Sequence, residues 1–259
     1  VEGDLIWTND ILKIKFKEFF RPIKNQPYFV HIDLAKGKES GDYLGIAMGH
    51  FSRNRSINLS EDYVRELTKA EGFSVTNLSN IKQPAAVLDF IMQVRARPGQ
   101  EIIFDEIRQF IQGLHKVGFN IKMVTYDGWQ SVDSVQLLIK AGIPAEVQSV
   151  DRNTEAYDTL KEQIYKGLLD IYHHPVFIRE CEELIRKPNG KVDHPELSYR
   201  RSLEEGRKEG SKDVSDAVAG CVNLCIKNAK AQFSAGVADS GHLSGRTQFH
   251  SWNRSGMLS

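Results

Sequence analysis

From Asn120 onward the chain alternates short apolar runs with stretches of helical periodicity, a pattern that commits it to a layered α/β sheet. N-I-K-M-V-T-Y-D-G-W-Q-S reads as a strand running straight into Asp127-Gly128. Ser131 or Asp133 caps a helix through Ala141-Gly142, A-E-V-Q-S-V is the next strand, and a helix from Thr154 to Gly167 turns Tyr157, Leu160 and Ile164 inward. Upstream, Ile103, Ile107, Phe110, Leu114 and Val117 form an apolar helical stripe closed by Gly118. The sheet begins with antiparallel strands: Y-F-V-H-I-D-L-A (residues 28 to 35) and Y-L-G-I-A-M-G-H-F, joined by a turn rich in Gly and charge, read as a β-hairpin. Residues 85 to 97 follow as an edge strand stopped by Pro98-Gly99.

The remaining segments divide as a linker over 1–27, a domain over 28–233 and a flexible Gly/Ser-rich tail over 234–259. Within the linker, Ile11, Ile14, Phe19 and Phe20 have near-helical spacing, and Pro22 and Pro27 end that helix. Ser52 to Pro84 is polar and reads as an irregular insertion with a short helix around Glu61 to Glu71. Pro175 opens a helix through Arg186, a charged excursion with a hairpin follows, and the last helix runs from about Lys212 to Phe233.

Length and composition narrow the class. The 259 residues suit one large α/β core with tails, and 41% hydrophobic and 26% charged residues are those of an ordinary globular domain. No apolar run is long enough for a membrane span, and the first residues lack the layout of a signal peptide. Cys181, Cys221 and Cys225 make no even framework, which favours a reducing compartment, and Cys221 and Cys225 read as helix core. The formal net charge of zero makes local charge clusters decisive for any nucleic-acid partner.

The informative residues are acids. Asp33 sits near the end of an apolar strand, where an ionised carboxylate costs several kcal/mol unless a cation or donors meet it. Asp127 lies at the C-terminal end of a later strand and Asp213 at the start of the last helix, places that can converge on one edge of a sheet. Three carboxylates gathered there would repel one another, and Mg²⁺ or Mn²⁺ removes the conflict. Two such ions roughly 3.5–4 Å apart activate a water and stabilise the leaving oxygen of a phosphodiester. Asp216, one turn after Asp213, supports a metal-bound water or joins the ligands. Simpler readings stand beside these: Asp127 before Gly128 as a turn residue, Asp213 as a helix cap, and Asp89 in V-L-D-F as a competing or structural acid.

Taken together, H-I-D-L-A with G-D-Y-L-G-I-A-M-G-H, V-T-Y-D-G-W-Q-S, and K-D-V-S-D-A-V-A-G in this order resemble the nuclease domain of viral large terminases, over roughly residues 28 to 230. The resemblance implies an RNase H-like (RuvC-like) fold, a central mixed β-sheet with its first three strands antiparallel, flanked by helices. It further implies a metal-dependent endonuclease that cuts concatemeric phage DNA during packaging in the host cytoplasm. Asp33, Asp127 and Asp213 would bind the metals, with Asp216 as a supporting acid. Lys212 stands where many relatives place a further acid or histidine. A packaging ATPase domain, a small terminase and a portal are the implied partners. No G-x-x-x-x-G-K-[ST] phosphate loop occurs, so the nuclease portion alone is expected.

Double-stranded DNA would be held by the charged excursion, through Lys191, Arg200, Arg201, Arg207, Lys208 and Lys212 among others; His194 reads either as a group that reaches the scissile phosphate or, more simply, as a surface histidine with no catalytic role. A solvated loop balanced by Glu204, Glu205 and Glu209 is the plainer reading. Competing functions are a junction resolvase, a strand-transfer enzyme, an actin-like phosphotransferase, and a catalytically silent RNase H-like module that only binds DNA.

Overall fold

The computed structural model describes residues 5–7, 21–34, 43–57, 82–96, 100–128, 131–150, 152, 154–194 and 211–239. Its centre is a sheet whose middle strand, β2 (Pro27–Asp33), is built of aromatic and β-branched residues that suit a pleat buried on both faces. On one side β2 pairs antiparallel with β3 (Leu44–Ser56), which pairs antiparallel with β4 (Lys82–Arg95). After α1 (Phe104–Val117), β5 (Asn120–Tyr126) returns to lie parallel to the other side of β2. Helix α2 (Val132–Lys140) leads to β6 (Ala145–Val147), parallel to β5. The order β4-β3-β2-β5-β6, with three antiparallel strands and then parallel ones, is the mixed sheet implied by the resemblance.

Two short strands extend β4 along its far edge. One is β1 (Leu5–Trp7), so part of the segment read as a linker adds a strand to the sheet; the helix expected after it lies outside the described residues. The other is β7 (Leu169–Asp170), which follows α3 (Glu155–Tyr165) and pairs with Ala86 and Val87. The reading of residues 85 to 97 as an edge strand therefore fails: β4 has neighbours on both sides. Both β3 and β4 also run into the supposed insertion, to Ser56 and back to Lys82. Their polar side chains hid this, because ladder pairing there continues beyond the hydrophobic core.

Helix α1 ends as its sequence dictates. Gly118 takes φ +113°, a left-handed turn, and Phe119 N–H donates to Leu114 O at 3.2 Å. In α3 the expected inward set needs correction: Tyr157 and Leu160 are buried, but Ile164 is exposed and Gln163 is buried in its place. Helix α4 (Pro175–Glu183) starts at the predicted proline, with His174 Nδ1 accepting from Phe177 N–H at 3.1 Å, and stops short of Arg186. Ile185–Arg186 and Val192–Asp193 then form the hairpin strands β8 and β9.

The last helix, α5 (Asp213–Asp239), reaches beyond the predicted end at Phe233. It is buried on nearly every side from Val214 to Ile226, because it lies between the sheet and helices α3 and α4. Its approach to the sheet depends on small residues. A Cβ on Gly45 would stand 2.0 Å from Asp213 O and 3.0 Å from the Ala217 Cβ; one on Gly49 would stand 3.3 Å from the Cys221 Sγ. Residues 45 and 49 are about 13 Å apart along a strand, and residues 213 and 221 about 12 Å along a helix, so α5 runs nearly along β3. On β2, the buried His31 ring lies against Gly220, where an added Cβ would come within 2.3 Å. His31 pairs with Thr125 Oγ1 at 2.6 Å, and burial pushes its pKa down to about 3, so it is a neutral core residue. Cys221 and Cys225 are buried in this layer, as read from the sequence.

Candidate metal centre

Three chain segments meet where β2 ends. Asp33 is the last residue of β2, and the parallel pairing of Ile32 with Tyr126 sets Asp127 beside it, with Asp127 N–H donating to Ile32 O at 2.9 Å. The chain then turns away at Gly128, whose φ of +83° only glycine adopts easily. The third segment is the first turn of α5. Gly45, the strand partner of Asp33, lets that turn settle against β3 and delivers Asp216 to the same point. One carboxylate oxygen each from Asp33, Asp127 and Asp216 lie within 4.8 Å of one another; the first two residues are half-buried and Asp216 is buried.

Asp213, expected among the ligands, lies one helical turn earlier, outside this closest group. Its Oδ2 accepts from Ser211 Oγ at 2.8 Å and from Tyr43 N–H at 3.3 Å. The nearness of the whole acid set is visible in Asp33. Its pKa is raised well above the ordinary carboxylate range, first by burial and then by the charges of Asp216, Asp213 and Asp127, against the pull of Lys212. Carboxylates gathered this closely cannot all ionise without a countercharge. The Lys212 ammonium is one such charge, in an ion pair with Asp216 Oδ2. An all-carboxylate donor set of this kind suits hard divalent cations such as Mg²⁺ or Mn²⁺.

Neutral donors fix the acids. Tyr157 O–H donates to Asp216 Oδ1 at 2.6 Å, and Val150 N–H donates to Asp127 Oδ2 at 3.2 Å. Glu180, which the sequence reading passed over, is 2% exposed and reaches the same helix turn from α4. Its carboxylate accepts from Ser215 N–H at 2.7 Å and from Ser211 Oγ at 2.9 Å. Burial, ahead of the charges of Asp213 and Asp216, pushes its pKa up to about 7.

The competing acid Asp89 does not belong to this group. It is the extra residue at a bulge, between Phe90 paired with Met48 and Leu88 paired with Gly49, and it meets His50 Nδ1 at 2.8 Å. Burial raises its pKa, and its contact with His50 makes Asp89 a structural acid within the sheet.

In architecture the fold is similar to two phage proteins. One is the HK97 bacteriophage large terminase, with a TM-score of 0.48 and 12% identity over 78% of this chain and 40% of that one. The other is the large terminase nuclease from thermophilic phage G20c, with a TM-score of 0.47 and 12% identity over 77% of this chain and 83% of that one. The chain thus spans about 40% of the length of the HK97 protein. No family model and no curated protein matches the sequence.

The expected DNA-binding residues divide. Arg200, Arg201, Arg207 and Lys208 lie outside the described residues. Lys191 is in the β8–β9 turn, where its N–H donates to Asn189 Oδ1 and its carbonyl accepts from Lys187 N–H. Nearby cations are already matched to acids, Lys187 with Asp193 at 2.6 Å and Arg186 with Asp158 at 2.5 Å. Asp193 is partly desolvated, yet hydrogen bonds from Lys187 and His194 and the charges of Lys187 and Lys212 hold its pKa down. The Lys212 influence sets this hairpin near the start of α5. No helix among the described residues is long and apolar enough to cross a membrane.

Proposed function

We propose that this chain is a metal-dependent DNA endonuclease of the viral large terminase type. The observation that carries the reading is the convergence of Asp33, Asp127 and Asp216 within 4.8 Å at the end of the central strand, with Asp213 one turn away. In this reading Asp33, Asp127 and Asp216 would hold the cations, and Asp213, one turn away, would help to complete the site. When bound, two Mg²⁺ or Mn²⁺ ions supply an activated water and charge stabilisation at the phosphodiester.

The protein's own residues do the rest. Asp33, which feels the charges of Asp216, Asp213 and Asp127 together, would be the ligand common to the cations. Tyr157 and Val150 N–H fix the carboxylate planes of Asp216 and Asp127, so that little reorganisation remains when substrate arrives. Lys212, paired with Asp216 in this structure, would become available to a DNA phosphate if a cation took its place beside that carboxylate. The excursion between α4 and α5, with Lys191, Arg200, Arg201, Arg207 and Lys208, tracks the duplex backbone with little sequence preference. The ATPase domain, small terminase and portal are the proposed partners, and concatemeric phage DNA in the host cytoplasm is the proposed substrate.

The Lys212–Asp216 pair also favours a second reading, a silent DNA-binding module in which the ammonium takes the cation's place. Supercoiled plasmid incubated with Mg²⁺, Mn²⁺ or EDTA separates the two. Nicking and linearisation that need the metal, and are lost in Asp33→Asn, Asp127→Asn and Asp216→Asn, establish the nuclease. A folded parent that binds plasmid but leaves it intact in both metals favours the module, or a nuclease that cuts only with its motor domain.

A further inference from the structure

The first turn of α5 lacks the residue that normally closes a helix. Asp216 N–H donates to Lys212 O at 2.7 Å, so Lys212 is the N-cap and Ser215 the third helical residue. An N-cap side chain ordinarily accepts from the N–H of the second or third residue, and lysine has no acceptor to offer. Here the acceptor comes from another helix. Glu180 Oε2 takes Ser215 N–H at 2.7 Å, and Oε1 takes Ser211 Oγ at 2.9 Å. Ser211 Oγ also lies 2.8 Å from Asp213 Oδ2, and Ser215 Oγ lies 3.0 Å from the Tyr157 hydroxyl that holds Asp216. Glu180 therefore grips the turn on both flanks of Asp213, one residue before Asp216, from a site sealed from water. Phe177, on the same face of α4, is buried in the same layer and anchors that face to α5.

We infer that Glu180 is a positioning residue for the metal centre, acting as a cap supplied by α4 that sets the pose of the α5 turn bearing Asp213 and Asp216. The inference rests on the metal centre proposed above. A carboxyl group fits the role because its two oxygens meet Ser215 N–H and Ser211 Oγ together, and a buried acceptor locks the turn more firmly than a solvated one. Groups that orient metal ligands from behind typically change metal affinity by about 10–100-fold when removed.

The test compares the full chain with Glu180→Ala and Glu180→Gln, all checked for folding by circular dichroism. Glutamine keeps an oxygen for Ser215 N–H and turns an amide toward Ser211 Oγ. Hydrogen exchange of the 211–216 amides reads the cap itself, and calorimetric titration with Mn²⁺ reads its effect on the centre. Glu180→Ala should exchange at least about tenfold faster in this turn and bind Mn²⁺ about tenfold or more weakly, with Glu180→Gln recovering most of both. Unchanged exchange in Glu180→Ala overturns the cap, and faster exchange with parental Mn²⁺ affinity overturns the positioning role. A parent that binds no Mn²⁺ sinks the metal centre and the positioning role with it, while the exchange data still report the cap. A parent that binds Mn²⁺ without cutting DNA refutes only the nuclease reading.

Discussion

Gly45→Ala isolates the fit between β3 and α5. The new methyl carbon would stand 2.0 Å from Asp213 O, a backbone atom with no rotamer to change. Restoring an ordinary contact of 3.4 Å requires the first turn of α5 to move by about 1.4 Å. Overpacking of this kind costs about 1–3 kcal/mol. Replacing glycine in a compatible conformation contributes about 0.4–1 kcal/mol of the opposite sign through the unfolded chain. The net is a loss of up to about 2.6 kcal/mol, or up to roughly 10 °C in Tm for a domain of this size. The movement carries Asp216 away from Asp33 and Asp127, and misplacement of about 1 Å can cost about 100-fold in rate. Gly49→Ala is the control. Its methyl would meet Val87 O at 2.6 Å, so it should lower Tm while disturbing Mn²⁺ affinity much less, since it acts about 13 Å along the strand from the acids. Differential scanning calorimetry with Mn²⁺ titration reads both effects. A Gly45→Ala protein with parental or higher Tm and parental Mn²⁺ affinity would refute the close-approach argument.

Other residues give separate tests. Tyr157→Phe removes the donor to a buried Asp216 oxygen and should cost about 1.5–3 kcal/mol in urea unfolding with an unchanged slope; a smaller loss means that water replaces the hydroxyl. Lys212→Met leaves Asp216 without its ammonium, so the metal-free Tm should fall and the rise on adding Mn²⁺ should exceed the parent's; equal rises would show that lysine and cation do not compete. Glu180 has a folded pKa of about 7 against an ordinary 4.5, so its stabilising contribution is full below about 4.5 and is lost as pH rises through 7. The metal-free parent should therefore lose more Tm between pH 5 and 7.5 than Glu180→Gln, and parallel curves would contradict that account.

Much of this arrangement is legible in the residues. The stripe of Ile107, Phe110 and Leu114 and the strand into Asp127 announce themselves because core burial and sequence period coincide. Asp33 stands out because a carboxylate interrupts an apolar strand. The choice between Asp213 and Asp216 is not local. Three helical positions separate them by about 60° around the axis, and the docking of α5 decides which one faces Asp33. The run G-I-A-M-G held a signal for that docking: Gly45, Ala47 and Gly49 make one face of β3 small while Leu44, Ile46 and Met48 make the other large. Glu180 was hidden among acids, R-E-C-E-E, and only its three-residue spacing from buried Phe177 distinguishes it. Ser52 to Ser56 looked irregular because its own side chains are polar, while the apolar burial there comes from Ala85, the partner of Ser52, and from neighbouring Ile57.

The long sequence separation of Asp33 and Asp216 has a consequence during synthesis. Chains grow at about 5–20 residues per second, so some tens of seconds pass between their emergence. Until α5 arrives, Phe29, Phe51 and Leu88 on the sheet face it will cover remain open, and the nascent protein presents a sticky surface in need of protection. The acids cannot gather in that interval. On the proposed function, a growing chain could not load the centre until its final described helix closes over the sheet, so that competence would wait on that last packing step.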